Sequence, residues 1–279
     1  RRVYAMLEDY CRGLASQTAE HGKSSQRHSI GFVLSCFRLR FASSLYALHE
    51  TTQRRLDRVM ATLRYMELDT PRLDSDTRDP EEYDEEDDEV AIAEYLAGRS
   101  VGDLEWERDR LIELKEAIGD PDRPSSKMNR LLDELEKRRD PVSGRIRQTV
   151  IFTRFYDTLV DIEPWLRRRK PGILLGCYSG AGCRYYDPEV SDMVSADREE
   201  IKERFLRGEI DVLVCTDAAA EGVNLQTADL LINFDMGWNP MKLEQRIGRI
   251  DRIGQKHSTV YVLNLFYLDT AEEIVYGRL

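Results

Sequence analysis

The stretch 244–255, EQRIGRIDRIGQ, sets three arginines and two glutamines among isoleucines, in a chain whose net charge is −11. On a helix, Gln245, Arg249 and Arg252 fall at i, i+4 and i+7, on one face. Leu243, Ile247 and Ile250 repeat that spacing, displaced by two residues, or roughly 200° around the axis. A guanidinium is a planar fork whose N–H groups meet phosphate oxygens in pairs, so the polar face suits a phosphorylated ligand. Gly248 costs about 1 kcal/mol in a helix interior, which implies a close approach to the backbone there. Taken alone, the pattern also describes an amphipathic helix with exposed arginines. Its place in the fold has to decide.

The elements that would carry such a site lie in the second half of the chain. Short apolar runs occur at TVIFT (149–153), ILLGCY (173–178), DVLVCT (211–216), DLLINFD (229–235) and TVYVLNLF (259–266). Helical patterns fill several gaps, and Asp197 with Glu200 and Thr270 with Glu273 read as capping boxes. Short buried strands alternating with helices predict a parallel sheet covered on both faces. In such sheets ligands sit beyond the carboxyl ends of the strands. Three polar segments take those positions: Arg154, the run Thr216–Asn224, and Gly237-Trp238-Asn239-Pro240, which leads into 244–255.

The first half reads differently. Residues 1–66 are helical in pattern, with Val3, Leu7, Tyr10 and Leu14 on one stripe and Val33, Phe37, Phe41, Leu45 and Leu48 on another. They are basic, with eleven Lys or Arg against five acids, a face suited either to nucleic acid or simply to solvent. Residues 67–94 carry fourteen Asp or Glu against two Arg, a net of −12, so the remainder of the chain stands at +1. This acidic stretch reads as a solvated linker, with an electrostatic role toward Mg²⁺ or a basic protein as the alternative. A second helical stretch follows at 95–143, broken at Asp140-Pro141-Val142-Ser143-Gly144, and an α/β domain at 144–279.

VIFTRF (150–155), VCTDAAAEGVNLQ (214–226), LINFDMGWNP (231–240) and EQRIGRIDRIGQ together resemble motifs IV, V and VI of superfamily 2 helicases. In detail they are similar to SWI/SNF-type double-stranded DNA translocases, especially the bacterial branch of RNA-polymerase-recycling and phage-defence ATPases. The DRIGQ ending and the WNP lead-in separate them from DEAD-box RNA helicases. The resemblance covers residues 148–279. RYMELD and FASSLYALHETTQRRL are similar, more weakly, to the helical inserts between the two lobes of such motors. It implies a RecA-like second lobe preceded by a mainly helical insert region, and ATP bound between this lobe and an N-terminal RecA-like lobe of the same polypeptide. That first lobe would bring the phosphate loop and the Mg²⁺ site. On this chain Arg252 becomes the candidate arginine finger, Arg249 a second γ-phosphate sensor, and Gln245 the link between nucleotide and DNA. Glu221, Gly222, Asn224 and Gly248 would line the nucleotide. Arg154, Thr216, Asp217, Trp238 and Asn239 would lie along double-stranded DNA, with Arg154 and Thr216 on a phosphate.

No Walker A motif is present: His21-Gly22-Lys23-Ser24 lacks the glycine five residues upstream, where Gln17 stands. The half-motor reading therefore expects no ATPase from these residues alone. The start, Arg1-Arg2-Val3-Tyr4, carries no signal peptide and reads as the middle of a longer polypeptide. No run of about 18 apolar residues spans a membrane, and five cysteines without a CxxC pair point to a reducing, cytoplasmic, nucleoid-associated setting. Cys177 and Cys183 around SGAG have no nearby His to complete a zinc site, and RYYDPEVSDM after them reads as a surface loop. The obstacle on the DNA, a nucleoprotein or defence-system partner, is open. Two rival functions stand beside the translocase: a strand-separating DNA or RNA helicase, and a non-catalytic RecA-like scaffold.

Overall fold

The computed structural model describes residues 1–21, 24–68, 99–120, 123–217, 223–236, 239–270 and 272–273. The acidic stretch from residue 69 onward and the Gly22-Lys23 decoy lie outside the described residues. The chain divides into a helical unit, 1–41 with 45–121, and a sheet unit, 42–44 with 122–279.

In the helical unit, helices α1 (Arg2–His21), α2 (Ser24–Ser43), α3 (Leu45–Leu68) and α4 (Val101–Ile118) form where the apolar stripes predict helix. Leu7, Tyr10 and Leu14 of α1 and Val33, Phe37 and Phe41 of α2 are buried. Ser100 starts α4 with a reciprocal capping box to Asp103. Glu107 of α4 is fully buried, and its carboxylate accepts from the Tyr10 hydroxyl (2.8 Å), Arg55 Nε (2.8 Å) and Arg99. One carboxylate thus ties α1, α3 and α4. Gly13 allows the closest approach: a Cβ there would meet the Trp106 ring at 2.3 Å.

The sheet unit holds seven strands in the order β4-β3-β2-β5-β1-β6-β7. These are β1 (Thr149–Thr153), β2 (Leu175–Ser179), β3 (Gly182–Asp187), β4 (Asp192–Ala196), β5 (Val212–Thr216), β6 (Leu230–Asn233) and β7 (Tyr261–Asn264). Pairs β2–β5, β5–β1, β1–β6 and β6–β7 are parallel, and each of these strands falls in an apolar run of the sequence. On one face Ile151, Cys177, Val214 and Ile232 pack against α5 (Ser126–Glu136) and α6 (Tyr156–Arg169). On the other, Val150, Phe152, Leu213 and Leu231 pack against α7 (Arg198–Leu206) and Ile250 of α8 (Pro240–Ile250). Covering both faces is what makes the strands continuously apolar.

Three expectations change here. The stretch read as a surface loop forms the antiparallel hairpin β3–β4, which extends the sheet past β2. Its alternation, Cys183 and Tyr185 inward, is short, and the Asp187-Pro188 turn with Ser191 at φ 59° gives it a polar tip. Helix α5, read as part of the insert, puts Met128, Leu131 and Leu135 into the sheet's core. Asp197 caps α7 through the Glu200 amide, one half of the expected box, whereas near the end of the chain Thr270 spends its hydroxyl on the Tyr267 carbonyl (2.7 Å). Cys177 and Cys183 pack in cores on opposite faces of the sheet, and burial pushes both thiols up, Cys177 to about 12.

Candidate nucleotide and nucleic-acid site

Strands β1 and β5 end side by side, with Thr153 and Thr216 as register partners. Asp217 follows β5 directly, and Asp235 lies two residues beyond the end of β6. The sheet order therefore gathers Thr216, Asp217, Thr153, Arg154 and Asp235 at one edge.

A single side chain organises that edge. Arg246 of α8 is 3 % exposed and donates from Nε and Nη2 to the two carboxylate oxygens of Asp217, at 2.6 and 2.8 Å. Its Nη1 donates to Asn233 Oδ1 (2.9 Å) and to the Asp235 carbonyl (2.6 Å). Burial opposes the guanidinium charge, but the bonds and fields of Asp217 and Asp235 outweigh it and hold the arginine firmly protonated. Asp235, itself buried, accepts from Ser43 Oγ (2.6 Å), Thr153 Oγ1 (2.5 Å) and the Arg154 amide (2.9 Å). Asn233 passes the link to β7 by donating to Asn264 Oδ1 (2.8 Å). Arg246 thus joins α8 to the ends of β5 and β6.

Behind Asp235 sits a second buried charge pair. Lys127 of α5 donates to the Phe234 carbonyl (3.0 Å), the Ala42 carbonyl and Glu272 Oε2 (3.4 Å), and lies 4.8 Å over the Tyr267 ring. Burial lowers the lysine's pKa and raises that of Glu272.

Residues 126–254 match the model of the helicase conserved C-terminal domain. The chain is 35% identical over 149 residues to the ATP-dependent helicase YqhH of Bacillus subtilis, a match covering 53% of this chain and 23% of that protein. It is 37% identical over 154 residues to the RNA polymerase-associated protein RapA of Vibrio campbellii, covering 55% of this chain and 14% of the other. The chain therefore spans a quarter or less of these relatives. Among solved structures, the C-terminal part of the Fun30 ATPase domain superposes with a TM-score of 0.52 at 17% identity, over 99% of this chain and 84% of that one. The Hef helicase domain of Pyrococcus furiosus gives 0.50 at 15%, over 100% and 55%. At those identities the likeness shows the fold. The sheet unit has the RecA-like fold of a C-terminal helicase lobe.

Within this lobe the geometry revises the arrangement read from EQRIGRIDRIGQ. Helix α8 begins on Asn239, whose Oδ1 caps the Met241 amide (3.0 Å), with Pro240 at the first turn. It ends at Ile250, and the Asp251 amide closes the last turn on the Ile247 carbonyl. Arg252 stands beyond the helix, exposed, in the turn 251–254. The apolar stripe is Ile250 with Arg246, while Leu243 and Ile247 are half-buried. Gln245 is exposed and Arg249 half-buried. Among the described residues nothing lies within 4 Å of a Cβ built at Gly248, so none of them makes the close approach inferred for it.

Both oxygens of Asp217 are committed to Arg246, so this carboxylate frames the strand ends. Thr216 is buried at the end of β5, and Arg154 is exposed while its amide anchors Asp235. Asn224 donates to Gln226 Oε1 (3.1 Å), and its own Oδ1 is buried with no hydrogen-bond partner among the described residues. A carboxamide oxygen so placed fits a ribose hydroxyl. Glu221, Gly222 and Trp238 lie outside the described residues. Arg246, which the sequence reading passed over, had a signal: it sits three residues from Leu243 and four from Ile250, a cation on the apolar stripe.

Proposed function

We propose that this lobe is the second half of an ATP-dependent double-stranded DNA translocase, completed by an N-terminal RecA-like lobe of the same polypeptide. The observation that carries it is the joining of all four motif segments at one edge through Arg246, Asp217 and Asp235. Bound ATP, with Mg²⁺ held by the first lobe, would supply the free energy of the cycle. In this reading Arg252 and Arg249 offer guanidinium groups to the charge that develops on the γ-phosphate, a contribution worth about 10³–10⁵ in rate in related NTPases. Gln245 hydrogen-bonds between that wall and the DNA side. Asn224, with Glu221 and Gly222, takes the ribose, and Gly248 leaves the helix backbone open. Arg154, Thr216, Asn239 and Trp238 lie along the tracking strand, contacts that fix position rather than sequence.

Two measurements test the reading, the first on the complete polypeptide. It is expected to displace the third strand of a triplex while leaving the duplex paired, and the 279-residue chain alone is expected to show no DNA-stimulated ATP hydrolysis. Unwinding of the duplex favours the strand-separating helicase. Turnover by the chain alone removes the need for a second lobe.

A further inference from the structure

The arginine proposed as the finger is not on a helix, and its turn has little of its own to hold it. Asp251, Arg252, Ile253 and Gly254 are all exposed, Ile253 completely, so no apolar packing fixes them. What fixes them is the next residue. Gln255 is half-buried, and its Nε2 donates to the Ile250 carbonyl (2.7 Å), the last of α8, and to the Ala228 carbonyl (3.0 Å). Its Oε1 accepts from the His257 amide (3.0 Å), and its own amide donates to the Arg252 carbonyl (3.0 Å), closing the turn.

The far side of this clasp is anchored in the core. Leu225 and Ala228 are fully buried in the core under the sheet, and the Leu225 amide donates to the Arg249 carbonyl (2.9 Å). His257 Nε2 lies 3.2 Å from the Thr227 carbonyl, which fits the tautomer protonated at that nitrogen. Gly254 completes the fit: its φ is 95°, and a Cβ there would come within 3.0 Å of the Gln226 carboxamide. Residues 249–257 are therefore stapled onto 224–228, the segment that also carries Asn224.

We propose that Gln255 is a positioning residue for Arg252: its carboxamide, bridging the end of α8 to Ala228, sets where the exposed guanidinium stands relative to Arg249 and Asn224. The inference rests on the finger reading of Arg252. A misplacement of about 1 Å in a reacting group can cost about 10²-fold in rate, so the clasp is expected to act on kcat.

The test is a double-mutant cycle on DNA-stimulated ATP hydrolysis by the complete polypeptide. Gln255→Glu keeps the shape but presents a carboxylate oxygen to the two carbonyls, removing the donor. It is expected to lower kcat by about 10–10²-fold, with KM for ATP within about threefold of wild type. On an Arg252→Ala background the same change is expected to cost nothing more. Gly254→Ala, which strains the turn at φ 95° and crowds the Gln226 carboxamide, should likewise lower kcat only where Arg252 is present, and serves if Gln255→Glu fails to fold. Losses that multiply in the double variants, or a change confined to KM, overturn the positioning role. Arg252→Ala alone reports separately on the finger: turnover within about tenfold of wild type removes that reading, and this inference with it.

Discussion

Arg246 donates to both carboxylate oxygens of Asp217, at 2.6 and 2.8 Å, with the guanidinium almost wholly out of solvent. The pair crosses from the helix after β6 to the residue after β5, two strands that are separated by β1. A bidentate pair of this kind fixes direction as well as distance. It sets the height of α8 over the strand ends, and with it every residue of 244–255 proposed to face the nucleotide.

Removing either partner leaves a buried charge without its counterpart, which costs about 3–5 kcal/mol. Arg246→Ala is therefore expected to destabilise the sheet unit by about that amount. Arg246→Lys should recover less than half, because one ammonium cannot span the Asp217 oxygens, Asn233 and the Asp235 carbonyl. Urea dependence of hydrogen exchange at the β1 and β5 amides reads the loss locally. A change under about 1 kcal/mol for Arg246→Ala would mean that the frame is held by other contacts.

Glu272 gives the lobe a pH signature. Burial raises its pKa above the ordinary 4.5, against the opposing pull of Lys127. Below pH 4.5 folded and unfolded chains both hold this proton. As pH rises the unfolded chain releases it first, so the contribution of Glu272 to stability is lost on the way up through its folded pKa. Glu272→Gln has no proton to lose. Its stability relative to wild type should therefore improve from pH 4.5 to 7.5, measured by urea unfolding at both pH values. A relative stability that falls over that range would place the folded pKa below 4.5, with Lys127 dominating.

Much of the lobe was legible because its parallel strands are buried on both faces. Val150-Ile151-Phe152 and Val212-Leu213-Val214 are apolar at every position, and such runs admit few other structures. The β3–β4 hairpin escaped because it buries Cys183 and Tyr185 on one side only and is interrupted by Asp187, Pro188 and Ser191. The end of α8 escaped for a different reason. The i, i+7 spacing from Gln245 to Arg252 fits a helix that continues, whereas Gly254 at φ 95° and the Gln255 bonds to Ile250 and Ala228 belong to a turn. Arg246 was hidden by its company. Beside two other arginines it reads as solvated charge, and only the meeting of Asp217 and Asp235 at the strand ends gives it a buried partner. That juxtaposition is tertiary, made by sheet order, and no local pattern contains it.

The central claim, that this lobe supplies arginines to an ATP site shared with a first lobe, rests most directly on Arg252. The decisive measurement is DNA-stimulated ATP hydrolysis by the complete polypeptide carrying Arg252→Ala, with ATP affinity measured on the same preparation. The account predicts binding within about threefold of wild type and turnover reduced by about 10³-fold or more. Turnover within about tenfold of wild type would contradict it.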